Sequence, residues 1–228
     1  MIEYLVLDLD DTILDFHAAE RVALEKTFRE LGIAVSPETT QRYKQINILH
    51  WKMLERGEIT REQVKVGRFA ALFAELGVAC DPALATPIYE KHLAVGHYFL
   101  PGAEEAVTRL AKKYRLFLAS NGTAAVQAGR LTSANLYRFF EQVFVSEEVG
   151  HNKPSKEYFD AAFSRIPDFD PARAMIVGDS LTSDIRGGNN AGIRTCWVNP
   201  THAPRDPDIP VDYEIESLAQ LEHLLETI

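Results

Sequence analysis

Residues 4–12 read Tyr4-Leu5-Val6-Leu7-Asp8-Leu9-Asp10-Asp11-Thr12. A four-residue apolar run without polar alternation ends abruptly in three carboxylates. That is how a strand buried on both faces of a parallel sheet reads, with its polar residues held back to the C-terminal end. In open parallel sheets ligands sit outside those ends, so the stretch predicts both a fold class and the place of a site.

Similar short runs recur at Leu116-Phe117-Leu118-Ala119, Val143-Phe144-Val145, Met175-Ile176-Val177 and Thr195-Cys196-Trp197-Val198. Helical patterns separate them. Residues 103–113 carry Ala106, Val107 and Leu110; residues 155–165 carry Phe159, Ala162 and Phe163; residues 217–227 carry Leu218, Leu221, Leu224 and Leu225. Each set shares one helix face. Strand and helix alternate from residue 100 to the end, which predicts a doubly wound, mainly parallel α/β sheet. Residues 16–99 break the rhythm. Helices are expected around 17–31, 38–55, 60–76 and 82–97, with turn signals at Leu31-Gly32, Ser36-Pro37, Arg56-Gly57, Leu76-Gly77 and Asp81-Pro82. The expected organisation is an α/β core over 1–15 and 100–228, interrupted by an all-helical cap over 16–99. The stretch Asn199–Pro210, with four prolines, reads as a surface loop before the last strand and helix.

The length of 228 residues suits one domain plus an insertion. Hydrophobic residues at 46% and charged residues at 25% are ordinary globular proportions, which excludes disorder over the whole length. The net charge of −9 argues against a nucleic-acid polymer as partner. No apolar run is long enough to span a bilayer, and MIEYLVLDLDD has no basic n-region, so neither a membrane span nor a secretory signal is expected. Cys80 and Cys196 lack metal-ligand spacing, and a reducing, cytoplasmic setting is expected. Oligomeric state is not readable.

Polar residues recur at the predicted strand ends: Ser120-Asn121-Gly122, then Lys153-Pro154, then Gly178-Asp179-Ser180 with Asp184 five residues beyond Asp179. Carboxylates gathered at neighbouring strand ends repel one another unless a cation compensates, and Mg²⁺ suits hard oxygen ligands. A carboxylate also serves as a nucleophile, and a second one as general acid/base.

The order DxDxT, Ser-Asn-Gly, Lys-Pro and GDSLTSD resembles the four motifs of the haloacid-dehalogenase-like hydrolases. The resemblance spans residues 1–15 and 100–228, and the helical insertion sits where that family places its first type of cap. It implies that Asp8 is the nucleophile and Asp10 the general acid/base, with Thr12 orienting the loop. Ser120 and the Asn121 N–H would bind phosphate and Lys153 would neutralise it. Asp8, the Asp10 carbonyl and Asp179 would hold Mg²⁺, with Asp184 behind them or steadying Lys153. Dehalogenating relatives lack a carboxylate at the position of Asp10, so its presence argues for phosphoryl transfer. HNKPSKEYFDAAFSRIP followed by GDSLTSDIRGGNNAGIRTCWVNP looks closer still to the pyrimidine and house-cleaning nucleoside 5′-monophosphatases. The implied substrate is a small phosphate monoester, with nucleoside monophosphates first. A sugar-phosphate phosphatase or phosphomutase shares the same core residues, and a binding protein without turnover is a third reading.

The other residues receive plainer expectations. Tyr43, His50, Trp51, His92, His97 and Tyr98 are expected to fill the helical core, with His17 and Trp51 kept as candidate substrate contacts. Arg130 and Arg138 are expected to be surface charges, Cys196 a buried strand residue, and Gly187-Gly188 a site of close backbone packing.

Overall fold

The computed structural model describes residues 1–228. Six parallel strands form one sheet: β1 Tyr4–Leu7, β2 Arg115–Ser120, β3 Gln142–Val145, β4 Ala174–Gly178, β5 Arg194–Val198 and β6 Tyr213–Ile215. Their spatial order is β3-β2-β1-β4-β5-β6. The direction of winding therefore reverses between β1 and β4, where the connecting helices leave to opposite faces and open a crevice at the strand ends. Asp8 follows β1 at that point.

Alternate residues of each strand feed two hydrophobic layers. One contains Leu5, Leu7, Leu116, Leu118, Met175, Val177, Cys196 and Val198. The other contains Tyr4, Val6, Phe117, Ala119, Phe144 and Ile176. Burial on both faces explains why the runs show no polar alternation. Cys196 is fully buried, as expected. A Cβ on Gly187 would meet the Phe159 ring at 2.6 Å, and one on Gly188 would meet Ile176 of β4 at 2.5 Å, so the pair does serve close packing.

Four helices fill the chain between β1 and the rest of the sheet: α1 Phe16–Glu30, α2 Pro37–Glu55, α3 Arg61–Leu76 and α4 Pro82–Leu93. Their starts follow the side chains available. Asp15, Ser36, Thr60 and Asp81 each accept a backbone N–H of the first turn, and Thr60 with Gln63 completes a capping box. They enclose a third apolar cluster that includes Phe28, Tyr43, Phe69, Phe73 and Tyr89. The remaining helices are α5 Ala103–Leu110, α6 Ala124–Ser133, α7 Ser146–Val149, α8 Lys156–Phe163, α9 Arg186–Ala191 and α10 Leu221–Thr227. A π-turn, Leu181–Ile185, leads into α9. Several helices are shorter than their apolar patterns. The fourth stops at Leu93 rather than 97, because the chain must turn at Gly96, whose missing Cβ leaves room for Ala19 at 2.8 Å. No helix is long and apolar enough to cross a membrane.

Candidate active site

The loop after β1 holds the first carboxylates. Its turn is closed by Asp11 N–H donating to Leu14 O (2.8 Å) and Leu14 N–H to Leu9 O (2.9 Å). Asp11 takes φ 58°, a left-handed conformation that aspartate tolerates better than most residues. Thr12 is buried, and its Oγ1 accepts from the Asp179 N–H at 3.1 Å. That bond ties the first loop to the loop after β4.

Lys153 is the hub of the site. It is buried, and its Nζ donates to Asp8 Oδ1 (2.7 Å), Asp184 Oδ1 (2.6 Å) and Ala119 O (2.6 Å). Burial opposes its charge, but the Asp184 and Asp8 carboxylates outweigh burial and hold its pKa above the ordinary value. Asn121 fixes the backbone of the same residue: its amide donates to Lys153 O (2.7 Å) and accepts from Lys153 N–H (2.8 Å). Asp184 is satisfied on both oxygens, by Lys153 and by Ser180 N–H (3.1 Å). Its approach requires Gly178, since a Cβ there would lie 2.2 Å from Asp184 Oδ2.

The carboxylates outnumber the cation. Ligand atoms of Asp8, Asp179 and Asp184 lie within 4.8 Å of one another. Burial pushes Asp8 up to about 8 against the pull of the Lys153 charge, with Asp184 and Asp10 adding to the rise, and burial with the Asp8 and Asp184 charges raises Asp179 well above the usual carboxylate range. A divalent cation fits this donor set: it would add the missing positive charge beside hard oxygen ligands and draw both pKa values back down. Asp8 and Asp179 have oxygens to offer it, whereas both oxygens of Asp184 already have donors.

Arg130 corrects the sequence expectation. It is fully buried rather than a surface charge. Its Nη1 ion-pairs with the Asp10 carboxylate, its Nε donates to Gly96 O (3.0 Å), and its guanidinium lies over the Phe16 ring at 5.6 Å. It thus touches both chain crossings into and out of the helical insertion. Gln127, one turn earlier on α6, donates to Asp10 Oδ2 (2.8 Å) and Ser120 Oγ (2.6 Å). Neither contact was evident as a motif. The available signal was positional: Val126, Gln127, Arg130 and Leu131 form the buried face of α6, so two polar residues lie on an apolar stripe.

A cavity of about 240 Å³ opens above these groups. Asp8, Asp10, Ser120, Lys153 and Asp179 line it from the sheet, and Phe16, Trp51, Glu55, Arg68, Glu90 and Leu93 from the helical insertion. Of the two candidate substrate contacts, Trp51 reaches the cavity. His17 does not; it lines a separate outer groove between α1 and α2, 3.4 Å from Asp11. Tyr43 is buried in the helical core as expected, while Tyr98 is exposed. Arg61, at the start of α3, bridges the two parts of the chain by donating to Gly122 O (2.7 Å), Ser146 Oγ (2.7 Å) and Asn152 Oδ1 (2.8 Å).

Behind the cavity wall a polar chain crosses the helical core. Asn47 Nδ2 donates to Glu20 Oε1 (2.7 Å), and Arg68 Nη1 donates to Asn47 Oδ1 (3.0 Å). Burial pushes Glu20 up to about 7. The folded protein therefore holds this proton above the ordinary value of 4.5, and stability from this group is lost as pH rises through about 7. Glu20→Gln keeps the acceptor and removes the titration. Urea unfolding at pH 5 and pH 8 is expected to show the variant gaining about 1–3 kcal/mol on the wild type at the higher pH. An unchanged difference between the two pH values would remove the buried titration.

The sequence profile of the haloacid dehalogenase-like hydrolases matches residues 5–198. With the sheet order and the four strand-end motifs, this establishes that the chain belongs to that family of hydrolases. Among its relatives are the HAD-hydrolase YfnB of Bacillus subtilis, 42% identical and covering 97% of this chain and 94% of its own. The pyrimidine 5′-nucleotidase PynA of Streptococcus pneumoniae is 37% identical over 96% of this chain and 93% of its own. The pyrimidine 5′-nucleotidase YjjG of Escherichia coli is 31% identical over 98% and 97%. The magnesium-bound crystal structure of YfnB, which reveals interdomain movement in that protein, superposes with a TM-score of 0.94 over 98% of both chains.

Proposed function

We propose that this hydrolase is a Mg²⁺-dependent phosphomonoesterase that works through an aspartyl-phosphate and acts on nucleoside 5′-monophosphates, pyrimidines first. The observation that carries the chemistry is the Lys153 hub. It holds a buried carboxylate, Asp8, at the mouth of the crevice, with Asp10 two residues on and Asp179 beside it. The substrate class is supported by the near full-length similarity to two pyrimidine 5′-nucleotidases.

In the proposed path Asp8 attacks phosphorus and the bond to the substrate's ester oxygen breaks. Asp10, protonated and out of its Arg130 ion pair, gives a proton to that oxygen, then takes one from the water that hydrolyses the acyl phosphate and frees Asp8. Ser120 Oγ and the Asn121 N–H are the donors for the phosphoryl oxygens, and the Lys153 ammonium beside Asp8 neutralises their charge. Gln127 links Asp10 to Ser120 and holds the acid/base beside the phosphate-binding hydroxyl. Asp8 and Asp179, with the Asp10 carbonyl, would hold Mg²⁺, which offsets the charge that builds on the phosphoryl group. Residues 16–99 act as a cap on the core of 1–15 and 100–228. Closure of the cap excludes water from the first step and selects the leaving group.

The test is a panel of phosphorylated metabolites assayed with Mg²⁺ and again with EDTA. Phosphate release is expected to be fastest from pyrimidine nucleoside monophosphates and to fall at least about 100-fold in EDTA. Equal rates in EDTA would remove the metal, and fast release from sugar phosphates with little from any nucleotide would replace the substrate class.

A further inference from the structure

Away from the two chain crossings, few polar bonds hold the helical insertion to the sheet. Lys65 Nζ lies 3.5 Å from Glu147 Oε1, and Thr182 Oγ1 donates to Glu55 Oε2 at 3.3 Å. Both contacts are long. Arg61 is the exception, with three bonds of 2.7–2.8 Å to the other side. Its acceptors are not scattered. Gly122 ends the Ser120-Asn121-Gly122 stretch, and Asn152 directly precedes Lys153. Asn121 already ties these two loops together through the Lys153 backbone, and Arg61 grips the same two loops from the helical insertion. The third acceptor, Ser146 Oγ, is buried at the start of α7. The guanidinium also lies over the Trp51 ring, 5.7 Å from its centroid, and Trp51 lines the cavity. One side chain therefore touches an aromatic wall of the cavity and both loops that carry phosphate-binding residues.

We propose that Arg61 is a positioning residue: it clasps the closed cap to the two phosphate-binding loops, so that the cavity wall and the phosphate site are assembled together. This rests on the reading of residues 16–99 as a closing cap. Arginine suits the task because its planar fork serves two loops at once, Nη1 on Gly122 O and Nη2 on Asn152 Oδ1 and Ser146 Oγ. A lysine brings one nitrogen and cannot span them in the same way. The three acceptors are neutral, and Arg61 is only half-buried. Such a contact returns to water without stranding an opposite charge, whereas a buried ion pair does not. It is a clasp that can be made and released.

The test is a double-mutant cycle on the full chain with Mg²⁺. It uses the ester that the wild type hydrolyses fastest, so it does not depend on the substrate class. Rates are taken well below every melting transition, so the folded fraction does not enter. Arg61→Met is expected to lower kcat/KM at least about tenfold, because a smaller share of the enzyme is closed. Asn152→Ala is expected to lower it less, and the double variant no further than Arg61→Met alone, since both remove one contact. Arg61→Lys is expected to recover only part of the loss. X-ray scattering without ligand is expected to give Arg61→Met a larger radius of gyration than the wild type, a quantity that a merely packing side chain would not move. Additive losses in the cycle, or kcat/KM within about twofold of wild type in Arg61→Met, would overturn the role of Arg61. If Mg²⁺ with orthovanadate changes the scattering of either protein while Arg61→Met keeps its kcat/KM, the cap closes without Arg61 and only this inference fails. If neither protein responds and their scattering is the same, the cap does not move, and the cap reading falls together with the inference. Should Arg61→Met not fold, Asn152→Ala and Ser146→Ala combined break the same contact from the core and are read in the same way.

Discussion

Asp8→Asn is expected to lower kcat by at least about 10⁴-fold on every phosphate ester the enzyme accepts, the scale on which loss of a nucleophile acts. The substitution keeps shape and volume and removes only the carboxylate proposed to attack phosphorus. Stability should not fall with activity. Burial pushes the Asp8 carboxyl up to about 8 from an ordinary 3.8, and the Asp184 and Asp10 charges add to the effect. A carboxyl with a raised pKa in the folded state binds protons more tightly there than in the unfolded chain. Its contribution favours folding at acid pH and is lost as pH rises from 3.8 through about 8. Asparagine carries no such penalty at high pH. Lys153 keeps Asp184 and Ala119 O as partners in the variant. In EDTA at pH 8 the melting temperature of Asp8→Asn is therefore expected to equal or exceed that of the wild type. Residual activity within about tenfold of wild type would remove Asp8 as nucleophile.

Lys153→Met should damage both activity and stability. The Lys153 ammonium is buried between two carboxylates, and its removal leaves Asp8 and Asp184 buried without their shared cation. Breaking a buried pair in this way costs about 3–5 kcal/mol, far more than loss of a surface ion pair. For a chain of this size that corresponds to a melting temperature lower by roughly 6–20 °C. Adding Asp184→Asn to Lys153→Met removes one of the stranded charges, so the double variant should regain part of the stability. It should regain none of the turnover, because the cation proposed to neutralise the phosphoryl oxygens is still missing. This split separates the two roles of the lysine. A single variant that melts with the wild type would show that the lysine does not compensate the buried carboxylates.

The strands were legible because a sheet covered on both faces needs four or five consecutive apolar residues, and Tyr4–Leu7 and Ala174–Gly178 supply them. Their polar ends were legible for the same reason: Asp8 and Asp179 directly follow β1 and β4, and Ser120 closes β2, where each apolar run stops. The helical insertion was visible from caps and turn residues, which act over three or four positions. Helix ends were read less well. The pattern at 217–227 begins with a 3₁₀ turn, Leu218–Gln220, before α10, and apolar spacing does not distinguish the two over so few residues.

Local sequence thus determined the elements, the motif residues and the order in which they come, since each depends on neighbours along the chain. The tertiary structure alone decided which of them meet. Lys153 reaches Asp8 across 145 positions, and Arg130 reaches Asp10 across 120. The apolar stripe of α6 places Arg130 on its inner face but does not say what satisfies it there, because a charge can be interior only when a distant carboxylate and carbonyl are brought to it. The net charge of −9 likewise surrounds a cavity that the buried Lys153 lines, a juxtaposition that exists only once the helices of residues 16–99 pack over the strand ends.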